Sequence, residues 1–254
     1  MNSLILETKD LYKEYVTDKK RVIKALSNIN LEVHNNDFLC ILGPSGCGKS
    51  TLLRIFAGLE KSSGGSISYK NRPLTSSTHE IGMVFQEYSL LPWRTVTDNV
   101  SLGLEFLGRK KAERVKAASK YLKLVGLEDY ALSYPYELSG GMQQRVAIAR
   151  SLANDPEILL MDEPFGALDA HTRIILQKEL LRIWNKNRKT VLFVTHSVDE
   201  AIYLADRILV MSAGPGQILE EITVDMERPR KRSDPEYGHL TTKILEMLDS
   251  QIKQ

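Results

Sequence analysis

Short apolar runs alternate with amphipathic helical segments along much of the chain. Helical patterns occur at 49–59, at 170–187 and in "SVDEAIYLA", whereas the first forty residues and "RILVMSAGPGQILEEITV" have the pattern of antiparallel strands and turns. Four runs with almost no polar interruption predict buried parallel strands: 38–42 (FLCIL), 81–85 (IGMVF), 157–162 (EILLMD) and 190–195 (TVLFVT). The pattern therefore predicts an α/β fold, with a mixed sheet and an antiparallel N-terminal part.

The strand pattern disappears between about residues 88 and 156. The stretches "TDNVSLGLEFL", "KKAERVKAASKYLKLV" and "GMQQRVAIARSLAN" are helical by period and composition. In the last of them, Val146, Ala149 and Ala153 form one apolar stripe. We predict that an all-helical subdomain, 88–156, is inserted into the α/β core.

The predicted organisation is one domain over residues 1–254. Its α/β core consists of 1–87 and 157–232, and a C-terminal helix follows at 233–254. This helix begins near "SDPE", and its apolar stripe (Leu240, Ile244 and Leu248) predicts packing against the core. The basic run just before it, "RPRKR" at 228–232, is expected to be a solvated linker.

Composition and charge narrow the class of protein. The 254 residues carry 34 basic and 32 acidic side chains, a net charge of +2, which gives no electrostatic reason to expect nucleic acid as a partner. No apolar run approaches the roughly 20 residues that span a bilayer, and the N-terminus has no signal-peptide pattern, so we expect a cytoplasmic chain. Cys40 and Cys47 have neither disulfide nor metal spacing and are predicted to be free thiols.

A glycine-rich loop, "GPSGCGKS", connects the first apolar strand to a helix. Its glycines let backbone N–H groups converge on phosphate oxygens, and the helix N-terminus adds a partial positive charge. Lys49 can reach the β- and γ-phosphates of a nucleotide, and Ser50 can ligate Mg²⁺. The sequence thus predicts a P-loop nucleotide-binding core, in which the nucleotide contacts Gly43, Pro44, Ser45, Gly46, Cys47, Gly48, Lys49, Ser50 and Thr51.

Polar side chains follow the other predicted strands, where open α/β sheets bind ligands. Asp162 ends the strand "ILLMD" and can hold Mg²⁺, while Glu163, one residue on, can orient or deprotonate an attacking water. His196 follows "VLFVT", and although a lone histidine there is more often structural, at the level of Asp162 it can contact the γ-phosphate. Gln86 follows "IGMVF", where its amide can touch Mg²⁺ or the water and can link nucleotide state to the helical insertion.

A second glycine-rich element, "LSGGMQQR", has no evident purpose in a chain that already has a phosphate loop. Taken in order, "GPSGCGKS", Gln86, "LSGGMQQR", "ILLMDEP", "GALDA" and the histidine of "VTHSVDEA" resemble the ATP-binding cassette (ABC) family of ATPases over essentially the whole chain. The resemblance implies a signature motif that binds the γ-phosphate of ATP held by the other subunit of a homodimer. The motif residues it implies are Ser139, Gly140 and Gly141, together with Gln143.

The resemblance also implies two further contacts. Tyr15 matches the aromatic residue that stacks on adenine, with Tyr12 as the alternative because the following loop lengthens the interval. Asp169 matches the aspartate of the D-loop, which lies across the dimer. ATP and Mg²⁺ are the implied ligands.

Several classes of protein share these motifs. One cassette without fused membrane helices, long coiled coils or a second cassette favours the ATPase subunit of an importer, bound through a separate permease at the cytoplasmic face of the membrane. A soluble ATPase of DNA maintenance or translation is the alternative. "EYSLLPWRTVTDNV" and "MSAGPGQI" resemble the nitrate/sulfonate/taurine group, although its usual "RPG" is "GPG" at Gly214–Gly216. The implied solute, delivered by an extracytoplasmic binding protein, is such an anion, with a thiamine-precursor pyrimidine or another aromatic compound as the alternative.

Overall fold

The computed structural model describes residues 3–166, 168–186 and 188–252. They form two compact units. One consists of the chain up to Thr78 and from Thr190 onward, and the other is His79–Lys189. The predicted subdomain boundaries at 87–88 and 156–157 stay a prediction.

The strands and helices follow the predicted α/β order. The strands are β1 (Leu4–Val16), β2 (Val22–His34), β3 (Phe38–Leu42), β4 (Gly64–Tyr69), β5 (Arg72–Pro73), β6 (Ile81–Val84), β7 (Ile158–Asp162), β8 (Thr190–Thr195), β9 (Arg207–Met211) and β10 (Ile218–Thr223). The helices are α1 (Lys49–Phe56), α2 (Val96–Val100), α3 (Leu102–Phe106), α4 (Lys111–Leu124), α5 (Gly140–Ala153), α6 (Ala170–Lys186), α7 (Val198–Leu204) and α8 (Pro235–Ile252), with 3₁₀ turns at Glu128–Tyr130 and Pro135–Glu137. The mixed α/β class is confirmed.

The first unit combines an antiparallel sheet with parallel strands. The antiparallel sheet has the order β2-β1-β4-β5, and its β1–β2 pair lies in the first forty residues, where antiparallel strands were predicted. Among the other strands of this unit, β3 lies parallel to both β8 and β9, and β10 pairs with β9 in the antiparallel sense. β3 and β8 are buried along their whole length, which is why their sequences are almost uninterrupted apolar runs.

The second unit is mainly helical, with β6 and β7 as a parallel pair. Between these two strands, residues 85–157 are all described, and none of them lies in a strand. The stripe on α5 is buried as predicted, with Val146 and Ala149 at 0% exposure and Ala153 at 5%. The stretch "TDNVSLGLEFL" is helical as predicted, but it is divided into α2 and α3 at Ser101, whose hydroxyl donates to the carbonyl of Asp98.

The other boundary errors are small. α1 ends at Phe56 rather than at residue 59, because Gly58 turns the chain with a left-handed φ of 67°. α8 packs on α7 as predicted, with Ile244 fully buried and Leu240 and Leu248 half-buried.

The expectation of a solvated linker at 228–232 is wrong. Arg230 is only 6% exposed and donates to the carbonyls of Ile202 and Ala205, both at 2.6 Å. Arg228 donates to the carbonyl of Leu204. The last carbonyls of a helix have no intrahelical donor, and these two arginines supply donors at the C-terminus of α7.

Candidate functional site

The phosphate loop lies where the buried strand β3 meets α1. Gly48 occupies the N-cap position with a φ of 98°, and the first turn of α1 contains no acidic residue. By contrast, α5 and α7 begin with serine caps, Ser139 and Ser197, whose hydroxyls accept a backbone N–H. The start of α1 thus has neither a capping side chain on its N-cap residue nor a negative charge, and this fits an anionic ligand.

Lys49 places a cation inside this loop. Its side chain is buried, and its ammonium group donates to the carbonyl oxygens of Gly43 at 2.8 Å and Pro44 at 2.9 Å. A buried ammonium gains strongly from a nearby phosphate oxygen. The predicted contact between Lys49 and the β- and γ-phosphates stays a prediction.

The back of the phosphate loop is supported by the turn between β9 and β10, which sequence reasoning missed. Gly216 exchanges backbone hydrogen bonds with β2, donating to Ala25 and accepting from Ser27, both at 2.9 Å. A Cβ on Gly216 would lie 2.0 Å from the carbonyl oxygen of Cys47. Gly214, by contrast, faces open space, so the departure from "RPG" at this position leaves the support unchanged.

Both cysteines are free and buried, as predicted. The Sγ of Cys47 lies 4.0 Å from the ammonium of Lys49, so the thiol packs within the loop. Burial in β3 raises the pKa of the Cys40 thiol well above its ordinary value.

Tyr15, rather than Tyr12, lies beside the phosphate loop. Its hydroxyl is 3.3 Å from the hydroxyl of Thr51 in the first turn of α1, and its ring is 37% exposed. One face of that ring carries the ammonium of Lys13, 4.8 Å from the centroid. The ring of Tyr12 instead covers Gly64 of β4, where a Cβ would lie 2.2 Å from it.

His196 is exposed at the end of β8, in a turn fixed by a buried acid. Glu200, 4% exposed, accepts a hydrogen bond from the Thr195 hydroxyl at 2.5 Å. The same hydroxyl accepts the backbone N–H of Ser197 at 3.0 Å, so the residues on both sides of His196 are held. Sequence reasoning missed Glu200, although the spacing of a serine cap and a glutamate three residues later could have indicated it.

In the second unit, the two carboxylates follow β7 as predicted. Asp162 is 4% exposed at the end of the strand. Glu163 is half-buried and has a left-handed φ of 43°, which is unfavourable for a residue with a side chain. Its carbonyl accepts the N–H of Gly166 at 3.0 Å, and this turn maintains the strained conformation. Such strain is concentrated at functional sites.

The signature motif begins α5. The Ser139 hydroxyl accepts the N–H of Met142 at 3.3 Å, and Gly140 is exposed next to it while Gly141 is half-buried. The amide nitrogen of Gln143 donates to the carbonyls of Pro135 and Leu138, at 3.0 and 3.2 Å. Gln143 therefore fixes the turn before the motif, whereas Ser139 and Gly140 are the members that face outward.

The segment after Gln86 is joined to the same helix. Gln86 itself is exposed. Arg150, in the last turn of α5, donates to the carbonyls of Tyr88 at 2.9 Å and Ser89 at 2.6 Å, and burial lowers its pKa. The Tyr88 hydroxyl would lie 3.5 Å from a Cβ on Gly140. Neither Arg150 nor Tyr88 was identified from the sequence, since nothing in the local pattern marks their contact.

Asp169 begins α6. Its carboxylate accepts the N–H of Thr172 at 3.0 Å, and hydrogen bonds from the side chain and backbone of Thr172 hold its pKa below the usual range. Within the "GALDA" motif, Ala167 lies outside the described residues.

Each unit therefore brings together part of the predicted site. Tyr15, the loop 43–51 and His196 belong to the first unit, and Gln86, the signature motif, both carboxylates and Asp169 belong to the second. The predicted Mg²⁺ ligands Ser50, Gln86 and Asp162 come from both units and stay a prediction. Among the described residues, no group of three or more His, Cys, Asp or Glu side chains is placed to hold a metal ion, and no helix is long and apolar enough to cross a membrane.

A buried strand, a phosphate loop with an inner lysine and a strained acid after a second strand define a nucleotide-hydrolysing enzyme. The family model described as "ABC transporter" matches residues 26–166, and the chain belongs to that family. It is an ATP-binding cassette ATPase, which binds and hydrolyses ATP.

Relatives match nearly the whole chain. An uncharacterized ABC transporter ATP-binding protein of Methanocaldococcus jannaschii is 56% identical over 97% of this chain and 92% of its own length. An aliphatic sulfonates import ATP-binding protein of Bacillus thuringiensis is 44% identical, covering 93% of each chain. A nitrate import ATP-binding protein of Synechocystis is 45% identical over 96% of this chain and 94% of its own.

A solved structure has the same fold. It is a dimeric ATP-binding cassette in a post-hydrolysis state bound to ADP and phosphate. Its TM-score is 0.76 at 36% identity, and the match covers 88% of this chain and all of that one.

Proposed function

We propose that this chain is the ATP-hydrolysing subunit of an importer for a small anionic solute of the sulfonate or nitrate type. The observation that carries the proposal is the near full-length similarity to the two import ATP-binding proteins, at 44% and 45% identity. In this proposal the chain is peripheral to the membrane and binds, at its cytoplasmic face, a permease supplied by other subunits. An extracytoplasmic binding protein delivers the solute.

The residues present fit a bound nucleoside triphosphate. The N-terminus of α1, whose first turn has no acidic residue, and the buried ammonium of Lys49 supply complementary charge for the phosphates. Tyr15 offers its second ring face to adenine, because Lys13 already covers the first. In this proposal Lys49 and His196 donate to the γ-phosphate and stabilise its charge during hydrolysis.

The carboxylates complete the hydrolytic machinery in this proposal. Glu163 accepts a proton from the attacking water, or orients that water, and its strained backbone fixes the direction of its side chain. Asp162, Ser50 and Gln86 carry oxygen donors, which suit Mg²⁺. When bound, Mg²⁺ neutralises negative charge on the phosphates.

The signature motif serves a second protomer in this proposal. The Ser139 hydroxyl can donate to a phosphate oxygen, and the exposed helix N-terminus at Gly140 has a partial positive charge. They bind the γ-phosphate of ATP held by the partner's loop, so that two copies enclose two ATP molecules. ATP then stabilises the closed dimer and hydrolysis releases it. The dimeric cassette with ADP and phosphate supports this arrangement.

A pull-down from detergent-solubilised membranes of the host, followed by uptake assays, tests the importer. We expect a multi-helix permease to co-purify, and the recovered complex in vesicles to import a sulfonate or nitrate only with ATP. An aromatic pyrimidine as the imported solute would overturn the proposed substrate class. Recovery of only ribosomal or DNA-processing partners would overturn the import function and favour a soluble ATPase.

Tyr15→Ala should weaken ATP binding about tenfold, because base–aromatic stacking contributes about 1–3 kcal/mol. Affinity for inorganic triphosphate, which has no base, should be unchanged, and calorimetric titration of both ligands separates the two effects. Tyr12→Ala is the matched control. If Tyr12→Ala weakened ATP selectively and Tyr15→Ala did not, Tyr12 would be the stacking residue.

A further inference from the structure

The C-terminal segment, residues 228–252, is bonded to the helix that follows His196. α7 starts two residues after this histidine, and Asp199 lies in its first turn. The Tyr237 hydroxyl donates its one proton to the carboxylate of Asp199 at 2.7 Å and lies 2.9 Å from the backbone carbonyl oxygen of the same residue. The Arg232 guanidinium donates to both carboxylate oxygens, at 2.6 and 2.8 Å. Two side chains of the segment thus converge on one residue.

These contacts are partly shielded from water. Tyr237 is 5% exposed, and the guanidinium of Arg232 lies 4.4 Å from the ring centroid of Tyr203 on α7. Burial is the main cause that raises the pKa of Tyr237, and the hydrogen bond to Asp199 is the second. The hydroxyl therefore keeps the proton that it donates. A bidentate arginine–carboxylate pair next to a buried hydroxyl has a defined geometry.

Two neighbouring acids, Asp199 and Glu200, make different hydrogen bonds near the turn that contains His196. Glu200 holds Thr195 and, through it, the N–H of Ser197, while its own N–H donates to the Ser197 hydroxyl at 3.3 Å. Asp199, its neighbour, is held from the outside by the C-terminal segment. The turn that contains His196 is therefore held from inside by Glu200, and the first turn of the helix that follows it is held from outside by the C-terminal segment.

The opposite end of α7 is held by the same segment, through Arg228 and Arg230. A helix of seven residues is too short to be stable alone, so its position comes from tertiary contacts. With both ends of α7 attached to residues 228–237, a displacement of the segment moves the start of the helix.

We propose that the C-terminal segment is a clamp that positions His196 for ATP hydrolysis, with Asp199, Arg232 and Tyr237 as its positioning residues. This rests on the proposed contact between His196 and the γ-phosphate. The clamp acts on the geometry of hydrolysis rather than on ATP binding, because its hydrogen bonds reach α7, the helix that begins two residues after His196.

Steady-state ATPase assays of the full-length protein, in its permease complex, test the clamp. Tyr237→Phe keeps the buried ring and removes the hydrogen bonds, so kcat should fall about threefold to tenfold with KM for ATP within about twofold of wild type, since small displacements of catalytic groups are costly. Asp199→Asn combined with Tyr237→Phe should lower kcat less than the product of the single effects, because the two side chains form one unit. Arg232→Lys should retain more activity than Arg232→Ala.

Lys243→Ala is the matched control. Lys243 joins α8 to Glu220 of β10 by an exposed salt bridge, in the same segment but away from Asp199, and its removal should leave kcat unchanged. If Tyr237→Phe had wild-type kcat while His196→Ala lost activity, the clamp would be disproved and the role of His196 retained. Wild-type kcat in His196→Ala would remove that role and the clamp with it. Equal losses in Tyr237→Phe and Lys243→Ala would indicate general destabilisation and contradict the clamp.

Discussion

Glu163→Gln should abolish ATP turnover while ATP binding is retained. The amide has the shape of the carboxylate but cannot accept the proton of the attacking water, and general-base catalysis contributes about 10²–10⁴-fold to such reactions. Phosphate release and nucleotide binding, measured on the same preparation, should separate: the first falls by at least about two orders of magnitude, and the second changes little. Because ATP is not consumed, the variant should also remain as a MgATP-dependent dimer by light scattering.

Glu157→Gln is the control for this experiment. Glu157 immediately precedes β7, at the end of the strand opposite to Glu163, and its loss should leave turnover unchanged. Turnover by Glu163→Gln at the wild-type rate would eliminate Glu163 as the base. A monomeric variant at saturating MgATP would contradict the two-protomer arrangement for the isolated subunit.

Gly216→Ala should distort the phosphate loop from behind. The new methyl group would lie 2.0 Å from the Cys47 carbonyl oxygen and 2.8 Å from the Met211 methyl group. A flexible methionine can move aside, but the backbone carbonyl moves only with the loop, at a cost of about 1–3 kcal/mol typical of overpacking. We expect affinity for MgATP to fall about tenfold or more, with a lower melting temperature in the absence of nucleotide.

Gly214→Ala provides the comparison, because it lies in the same turn and a Cβ there meets nothing within 4 Å. Its ATP affinity and melting temperature should match those of the wild type. Equal effects of the two substitutions would mean that the turn is sensitive as a whole. Wild-type ATP affinity in Gly216→Ala would show that the phosphate loop does not depend on this support.

The buried strands were predictable because a strand that is buried on both faces has apolar residues at consecutive positions. β3 and β8 contain almost only apolar residues, and the phosphate loop follows β3 directly. The carboxylates after β7 were found by the same reasoning. These features are local, so spacing along the chain was sufficient to identify them.

Support from distant segments was not predictable in this way. Arg230 meets the end of α7 from 25 and 28 residues away, and a basic run gives no sign of burial. Gly216 and Cys47 approach through backbone atoms, which no side-chain pattern reports. The role of Gln143 was also hidden, since its position in the motif does not reveal that its amide bonds to the preceding turn.

The bond between Arg150 and the backbone of Tyr88 and Ser89 has a consequence for exchanging parts between transporters. Residues 86–89 and α5, the helix of the signature motif, form one structural unit. Arg150 joins them at the C-terminal end of α5, and the Tyr88 hydroxyl lies near Gly140 at its N-terminal end. A chimera that grafts only the glutamine segment onto a foreign cassette would separate the two halves of this piece. We therefore expect a chimera to keep this contact only when residues 86–89 and α5 come from the same parent.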